Sequence, residues 1–415
     1  MADDRSEAVL SGWLEAMNDD TLKALVSEAL AANPDIDLAQ GRLNRARAFL
    51  RQSRAAQRPS VSTGASGSVA EAIDGGADAT LYAFDVNASW EADLWERLAF
   101  TRDADARSEE AAEADFKATQ QLIAASTAQA YFLLIEANQL ANVEQSNLQS
   151  LEETLGFVSV QFDRGLRSSA DIALIRADVE TSRASLDIAK QTQRNAARAI
   201  ELLVGRYPSA SLQAGTDAPE RPGVSIAGKP AGLLERRPDI QSAKLSFLAE
   251  HARTKSTRAD LLPRLSAQAS FGGSNSNLED LFNPSALAAS LLANGTQALF
   301  DGGARRARVQ AAEADREIAL ANYQLLVLDA FNEVETELDR GHVLERREVF
   351  LANALSEAED ALQFTRFRYE LGESDLLNVL SIQQRVSSLQ AELARTQRAQ
   401  LDQYVALALA LGQEI

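Results

Sequence analysis

The chain repeats itself, and that repetition restricts its fold more than any other feature. Pro34-Asp35-Ile36 returns as Pro238-Asp239-Ile240, an offset of 204 that also carries Ala39 onto Ala243, Arg54-Ala55 onto Arg258-Ala259 and Pro59 onto Pro263. Eleven of the 33 positions from Pro34 to Ser66 are identical across that offset without a gap, which takes the match beyond two coincident Pro–Asp pairs. Farther along the offset drifts to 207. Gly165 maps onto Gly372, and Ile172, Ile175, Val179 and Leu186 map onto Val379, Ile382, Val386 and Leu393. Leu202-Leu203-Val204-Gly205 closes one half and Leu409-Ala410-Leu411-Gly412 the other. The chain therefore divides into a first repeat over 1–205, a proline- and glycine-rich link over 206–233 and a second repeat over 234–415.

Within each half the expected order is helix, two strands, very long helix, tight turn and return helix. From about Arg102 to Phe162 the first glycine or proline is Gly156, and the stretch is rich in Ala, Glu, Gln and Leu, all strong helix formers. At 1.5 Å per residue that helix is roughly 90 Å long. Its counterpart runs from about Ala304 to Leu371. Val379, Ile382, Val386, Leu389 and Leu393 alternate spacings of three and four, which predicts a coiled-coil seam. Gly165 and Gly372 are expected to end the long helices in left-handed turns at the hairpin tips. Ser168, three before Asp171, has capping-box spacing, and Ser374 is the expected N-cap of the second return helix.

After each matched proline the hydrophobic period drops from helical to two. Strands are predicted at about 59–70 and 80–93, with an Asp74–Gly76 turn between them, and at about 263–273 and 289–300. Tyr82, Phe84, Val86, Ala88 and Trp90 share one face against Asp85, Asn87, Ser89 and Glu91 on the other; Leu265, Ala267, Ala269 and Phe271 alternate with Arg264, Ser266, Gln268 and Ser270. The fourth strand rests mainly on the repeat. Such alternation fits both a lipid-facing barrel wall and a soluble sheet with one buried face. Placement favours the barrel, because both hairpins interrupt long helices at matching points. Four strands cannot close a barrel in lipid, whereas three chains would supply twelve. The fold class expected is mainly α with a β-barrel contribution: tandem long helical hairpins and four strands per chain, trimerising into a 12-stranded transmembrane barrel on an α-helical barrel.

Charge and chemistry narrow the function. The net charge of −19 opposes binding to a phosphate backbone, so nucleic acid is not an expected partner. Without cysteine there is no disulfide, thiol nucleophile or zinc–thiolate site. His251 and His342 are far apart in sequence and read as surface residues. No P-loop, dinucleotide fingerprint, HExxH or nucleophile elbow occurs. Carboxylate pairs such as Glu109-Glu110 and Glu152-Glu153 read as solvated helix faces, so no enzyme, metal or cofactor is expected. No run of about 18 apolar residues is available for a spanning helix. Met1-Ala2-Asp3-Asp4-Arg5 has no apolar signal region, and the start is read as internal to a longer precursor.

Four stretches then stand out in order: Trp90-Glu91-Ala92-Asp93-Leu94-Trp95 after the second strand, Leu233-Leu234-Glu235-Arg236-Arg237-Pro238-Asp239-Ile240 after the link, Leu299-Phe300-Asp301-Gly302-Gly303 after the fourth strand, and Tyr369-Glu370-Leu371-Gly372 at the second tip. With these, nearly the whole chain resembles the outer-membrane efflux protein family, TolC-like and closest in pattern to its multidrug-efflux lipoprotein branch. The resemblance implies a homotrimer in outer-membrane lipid with a periplasmic extension. It also implies a periplasmic adaptor and an inner-membrane transporter as partners, and passive export of small molecules. A type I protein-secretion duct and, from another class, a soluble coiled-coil scaffold are the alternatives. The family closes its periplasmic end at the hairpin tips, with polar or acidic groups six and nine residues after each tip glycine. Those positions are Asp171 and Leu174 in the first half and Asn378 and Ser381 in the second. Tyr369 matches a residue that latches the closed tip in some members, and Ser374 stands where a latching arginine can occur. Asp171 carries both readings, helix cap and gate. Asn378 and Ser381 stand where aspartates are common in the family's second half, and a start without the branch's signal peptide and lipidated cysteine is expected to be internal to a longer precursor.

Overall fold

A computed structural model describes residues 12–70, 79–219, 221 and 236–413. In chain order the elements are helices α1 (Trp13–Ala16), α2 (Asp20–Ala32) and α3 (Pro34–Ala56), strands β1 (Ser60–Ala70) and β2 (Ala79–Ala92), and helices α4 (Arg97–Asp163) and α5 (Ser169–Leu203). The second half follows with α6 (Pro238–Ala259), β3 (Arg264–Asn275), β4 (Leu287–Thr296), α7 (Ala304–Glu370) and α8 (Leu376–Ala410). The expected Asp74–Gly76 turn and the Leu233-Leu234-Glu235 stretch lie outside the described residues, as do Met1–Ser11. α4 and α7 are each unbroken over 67 residues.

Two compact units emerge, and both draw on both halves of the sequence: one comprises Met1–Ala39, Phe116–Pro238 and Val327–Ile415, the other Gln40–Asp115 and Asp239–Leu326. In the first, α1 and α2 pack Trp13, Leu14, Leu22 and Val26 against Phe132, Leu134 and Ile135 of α4, Ile200 of α5 and Val405 of α8. A second cluster joins Leu148, Leu151 and Val158 of α4 to Ile172, Ile175, Val179 and Leu186 of α5 and to Leu376 and Val379 of α8.

The duplication reappears as duplicated chemistry. Pro34 and Pro238 each open a helix at its first position, where the missing N–H costs nothing. The residue before each proline is buried and reaches back to the end of its own half. Asn33 Nδ2 donates to the Leu203 carbonyl at 2.9 Å, and Arg237 Nη1 donates to the Ala410 carbonyl at 3.4 Å. Leu203 and Ala410 are themselves 207 apart, and each is followed by a left-handed glycine, Gly205 at φ 71° and Gly412 at φ 63°. A Cβ on Gly205 would lie 2.7 Å from the Ala32 carbonyl oxygen, and one on Gly412 2.9 Å from Arg236 Cβ. Glycine is required twice over at both places.

In the sheet unit the strand order is β1-β2-β3-β4, antiparallel throughout, so the two halves meet at β2–β3. The register aligns Val61, Ala88, Ala269 and Leu291 in one row and Thr63, Val86, Phe271 and Ala289 two steps on. Ala65, Phe84, Gly273 and Leu287 form the next row on that same, mostly apolar, face. The opposite face carries Ser62, Asn87, Ser270 and Ser290, where the Ser270 and Ser290 hydroxyls meet at 2.7 Å. The fourth strand differs from expectation: it occupies Leu287–Thr296, and Leu299 and Phe300 fall beyond it, 95% and 91% exposed. Leu292 sits on the polar face and blurs the period, so neither end could be placed by alternation.

The seam expected along α8 also shifts. Val379 and Val386 are buried, but Ile382, Leu389 and Leu393 are only half-buried, and Gln383 and Ala394 are buried instead. A polar layer explains the exchange. Gln383 Nε2 donates to Asn147 Oδ1 at 3.1 Å, its Oε1 accepts from Arg366 Nη2 at 3.1 Å, and Arg366 also donates to the Ser150 hydroxyl. One glutamine thereby ties α8 to both α4 and α7, and a hydrophobic period is blind to it.

Candidate functional site at the hairpin tips

Each long helix ends in the same way. At the first tip Gly165 lies at φ 76°, its N–H donates to the Phe162 carbonyl at 2.8 Å, and the Leu166 N–H donates to the Gln161 carbonyl at 2.9 Å. At the second, Gly372 lies at φ 78°, with Gly372 N–H to Tyr369 O at 3.1 Å and Glu373 N–H to Arg368 O at 2.8 Å. Both pairs of bonds satisfy carbonyls that the terminating helix would otherwise orphan.

The return helices start differently. Ser168 caps α5 in a full capping box: its hydroxyl accepts from the Asp171 N–H at 3.2 Å, while Asp171 Oδ2 accepts from the Ser168 N–H at 3.0 Å. The Ser168 N–H, then its hydroxyl, hold the Asp171 carboxyl below the usual range; burial opposes them and the nearby Arg167 adds to them. In the second tip the N-cap is Asp375, not Ser374, and its side chain makes no capping bond. Asp375 is the position that the 207 offset pairs with Ser168; the hydroxyl of Ser374 pointed one residue too early. Asn378 and Ser381 are exposed on the first turns of α8, with the Ser381 hydroxyl donating to the Asn378 carbonyl at 3.0 Å. Leu174 is half-buried on α5.

Tyr369 is where the two tips meet. It is 4% exposed, its ring centroid lies 5.8 Å from that of Phe157, and the Arg167 guanidinium sits 4.3 Å above it. Arg167 is in turn held by Gln161, Nε to Oε1 at 2.8 Å. A cation over an aromatic face at this distance is an attractive contact. The Tyr369 hydroxyl is buried without a hydrogen-bond partner among the described residues. Burial pushes its pKa up; Arg167 opposes that and Asp171 adds to it. The structure thus brings Tyr369 and Asp171 into one electrostatic neighbourhood through Arg167, a residue that sequence reasoning passed over. Its only signal was a position next to the capping serine. Ser374, Asn378 and Ser381 take no part in that contact.

The histidines separate. His342 is exposed, whereas His251, expected at the surface, is half-buried near Phe247; burial first, then Lys255, Arg316 and Arg258, hold its pKa down. Among the described residues no group of three or more His, Cys, Asp or Glu side chains is placed to hold a metal, and no helix is long and apolar enough to cross a membrane.

Comparison with known proteins places this geometry. The profile of the family described as outer membrane efflux protein matches residues 25–206 and 230–413. The pyoverdine export outer membrane protein OpmQ of Pseudomonas putida is 29% identical over 417 residues, covering 96% of this chain and 87% of its own length. The outer membrane protein OprJ of Pseudomonas aeruginosa is 30% identical over 393 residues, covering 92% and 81%. A crystal structure of CusC, described for its folding and transmembrane channel formation, superposes with a TM-score of 0.89 at 25% identity and covers 95% of this chain and 92% of its own.

Proposed function

The chain belongs to the outer membrane efflux protein family, and from that premise we propose that it is the outer-membrane duct of a tripartite efflux system. In this reading it is a passive homotrimer that exports small molecules delivered by an inner-membrane pump through a periplasmic adaptor. The sheet is the observation that carries the reading. Its register puts a mostly apolar face opposite a serine- and asparagine-rich one, the division of a barrel wall between lipid and water. β1 and β4 each present a free edge within the chain. Hydrocarbon tolerates no open edge, so the sheet needs further copies to close, and three supply twelve strands. Residues 1–205 and 234–415 act in this scheme as two copies of one structural repeat joined by 206–233.

The cysteine-free chain allows a direct test. Cysteines introduced at Ser60, Ser62, Ser66 or Ser68 of β1, each combined in turn with Ser290→Cys or Asn294→Cys of β4, are oxidised in membranes. A cross-linked ladder ending at three chains is the expected result. Monomers across the whole scan, from a chain soluble without detergent, would move the reading to the coiled-coil scaffold.

We assign the periplasmic gate to the tips turned at Gly165 and Gly372. Asp171, Leu174, Asn378 and Ser381 lie near the constriction, and Arg167 over Tyr369 takes the place of the familiar latch, with Ser374 outside it. Asn378→Asp with Ser381→Asp would create a carboxylate ring, and divalent ions should then lower single-channel conductance. Unchanged conductance on adding them would remove these two positions from the gate.

A further inference from the structure

A basic band runs along the base of the sheet, in a chain whose net charge is −19. Three segments that adjoin strands, 51–58, 253–264 and 301–308, hold ten arginines and lysines against two aspartates. Hydrogen bonds tie the first two to residues at the ends of β2 and β4, and Arg305 Nη1, donating to the Asp260 carbonyl at 3.5 Å, joins the third to the second. The Gln57 carbonyl accepts from Trp90 Nε1 at 3.1 Å, the Pro263 carbonyl accepts from Trp95 Nε1 at 2.7 Å, and the Leu261 carbonyl accepts from Gln297 Nε2 at 2.9 Å. Arg308 reaches Asp260 only at 3.8 Å.

Ordinary structural duties do not account for the whole band. Arg258 pairs with Glu313, Arg264 with Asp260 and Arg305 with Asp301. Arg51, Arg54, Arg58 and Arg306 are exposed and form no ion pair among the described residues. Arg51 and Arg54 are three apart and share one face of the last turns of α3, and Arg58 follows two residues past its end. The α3 arginines also suit the negative end of a helix dipole. Arg306 does not: it stands in the first turn of α7, where a cation opposes the dipole, and the one carboxylate at that helix start, Asp301, is taken up by the Arg305 N–H at 3.2 Å and the Arg305 side chain. Beside the cations lie exposed apolar side chains, Trp90, Leu94, Trp95, Leu262, Leu299 and Phe300. Aromatic and aliphatic groups with arginines at the rim of an apolar face are the composition of a membrane–water interface.

We propose that this band binds the phosphate headgroups of anionic phospholipids in the leaflet at the helical end of the barrel. The inference rests on the outer-membrane reading above. Arg51, Arg54, Arg58 and Arg306 supply the free guanidinium groups, which meet phosphate oxygens with a planar fork of donors. Trp90, Trp95 and Phe300 set the depth. A neighbouring copy of the chain and free phosphate are the competing occupants.

The test uses the purified protein in nanodiscs with spin-labelled phosphatidylglycerol or phosphatidylcholine as probe. The labelled lipid immobilised at the protein surface is compared for wild type and for the variant R51Q/R54Q/R58Q/R306Q. Wild type should favour phosphatidylglycerol several-fold at low salt, and the preference should fall as salt rises. The variant should lose most of it, by up to about fivefold for each arginine in contact with the leaflet. Equal immobilisation of the two lipids by wild type would overturn the proposal, as would a preference that the variant retains. Loss of the trimer in the variant with lipid preference intact would hand the arginines to a neighbouring copy. Competition by millimolar inorganic phosphate as effective as that by the lipid would also overturn it. Failure of wild type to enter the bilayer at all would remove the outer-membrane reading itself, whereas insertion without discrimination removes only this inference.

Discussion

α4 and α7 are the same element written twice, each 67 residues long and each ending in a left-handed glycine turn, yet they bury opposite amounts of themselves. α4 buries Ile123, Ala124, Ala128, Tyr131, Phe132, Leu134 and Ile135 in one stretch. α7 buries only Ala330, Leu344, Ala358 and Tyr369, and leaves Ile318, Leu325, Leu328, Val349, Phe350 and Phe364 exposed. A duplicated fold has thus been divided between two tasks. The first long helix builds the chain's own core, and the second carries apolar surface that is unsatisfied within one chain. Exposed apolar surface on this scale marks an interface, in keeping with the homotrimer proposed above.

Phe132 and Phe350 put the comparison at greatest risk. Phe132→Ala, at a site 1% exposed, should destabilise the chain by about 3–5 kcal/mol. Phe350→Ala, at a site 69% exposed, should leave the unfolding of a single chain unchanged and weaken the assembly instead. Denaturation in detergent, with native mass recorded alongside, separates the two. Equal loss of chain stability in both variants would erase the division of tasks.

Glu201 sharpens the difference between the halves, because its partner at the 207 offset is Ala408. Glu201 is 1% exposed and accepts from the backbone of Ala210 at 2.7 Å, Ser211 at 2.7 Å and Leu212 at 3.1 Å, pinning the start of the link. Burial alone would raise its pKa, but the bonds from Ala210, Leu212 and Ser211 outweigh it and hold the carboxyl below its usual 4.5. The contribution is therefore complete above the unfolded value and disappears as pH falls through the depressed folded one. Glu201→Gln should cost about 2 kcal/mol at neutral pH. Its cost should shrink in acid, and a penalty independent of pH would show that shape rather than charge holds the link.

The matched caps test the symmetric part of the design. Asn33→Ala removes the bond to the Leu203 carbonyl and another in which Asn33 Oδ1 accepts from the Asp35 N–H at 2.8 Å, a loss of about 1–2 kcal/mol. Arg237→Ala should cost at least as much, since that side chain also reaches Glu333 at 2.7 Å. Chemical denaturation of the two variants measures the pair, and a negligible effect of either would end the equivalence. The smallest change expected is at the second tip. Tyr369→Phe keeps the ring under Arg167 and discards a hydroxyl with no partner among the described residues, so stability should shift by less than about 0.5 kcal/mol.

Much of this architecture was legible because it is periodic or repeated. The offset of 204 to 207 located both hairpins and both tip glycines, and the period of two assigned the faces of β2 and β3 correctly. What escaped was set by contacts remote in sequence. Gln383 looks polar and peripheral until Asn147, 236 residues earlier, is found beside it. Arg167 carries no periodic mark, and its place over Tyr369 depends on two tips separated by some 200 residues meeting in space. β4 lost its boundaries because Leu292 lies on the polar face, and the N-cap of α8 was misread from residue type when the repeat already pointed to Asp375.

The antiparallel order β1-β2-β3-β4 has an arithmetical consequence. With an even number of strands in each chain, the last runs opposite to the first, so every junction between copies has the same polarity as the junctions inside a chain. Strand direction would be equally content with two, three or four chains. Stoichiometry has to be set elsewhere, and in the proposed homotrimer the exposed apolar side of α7 would set it.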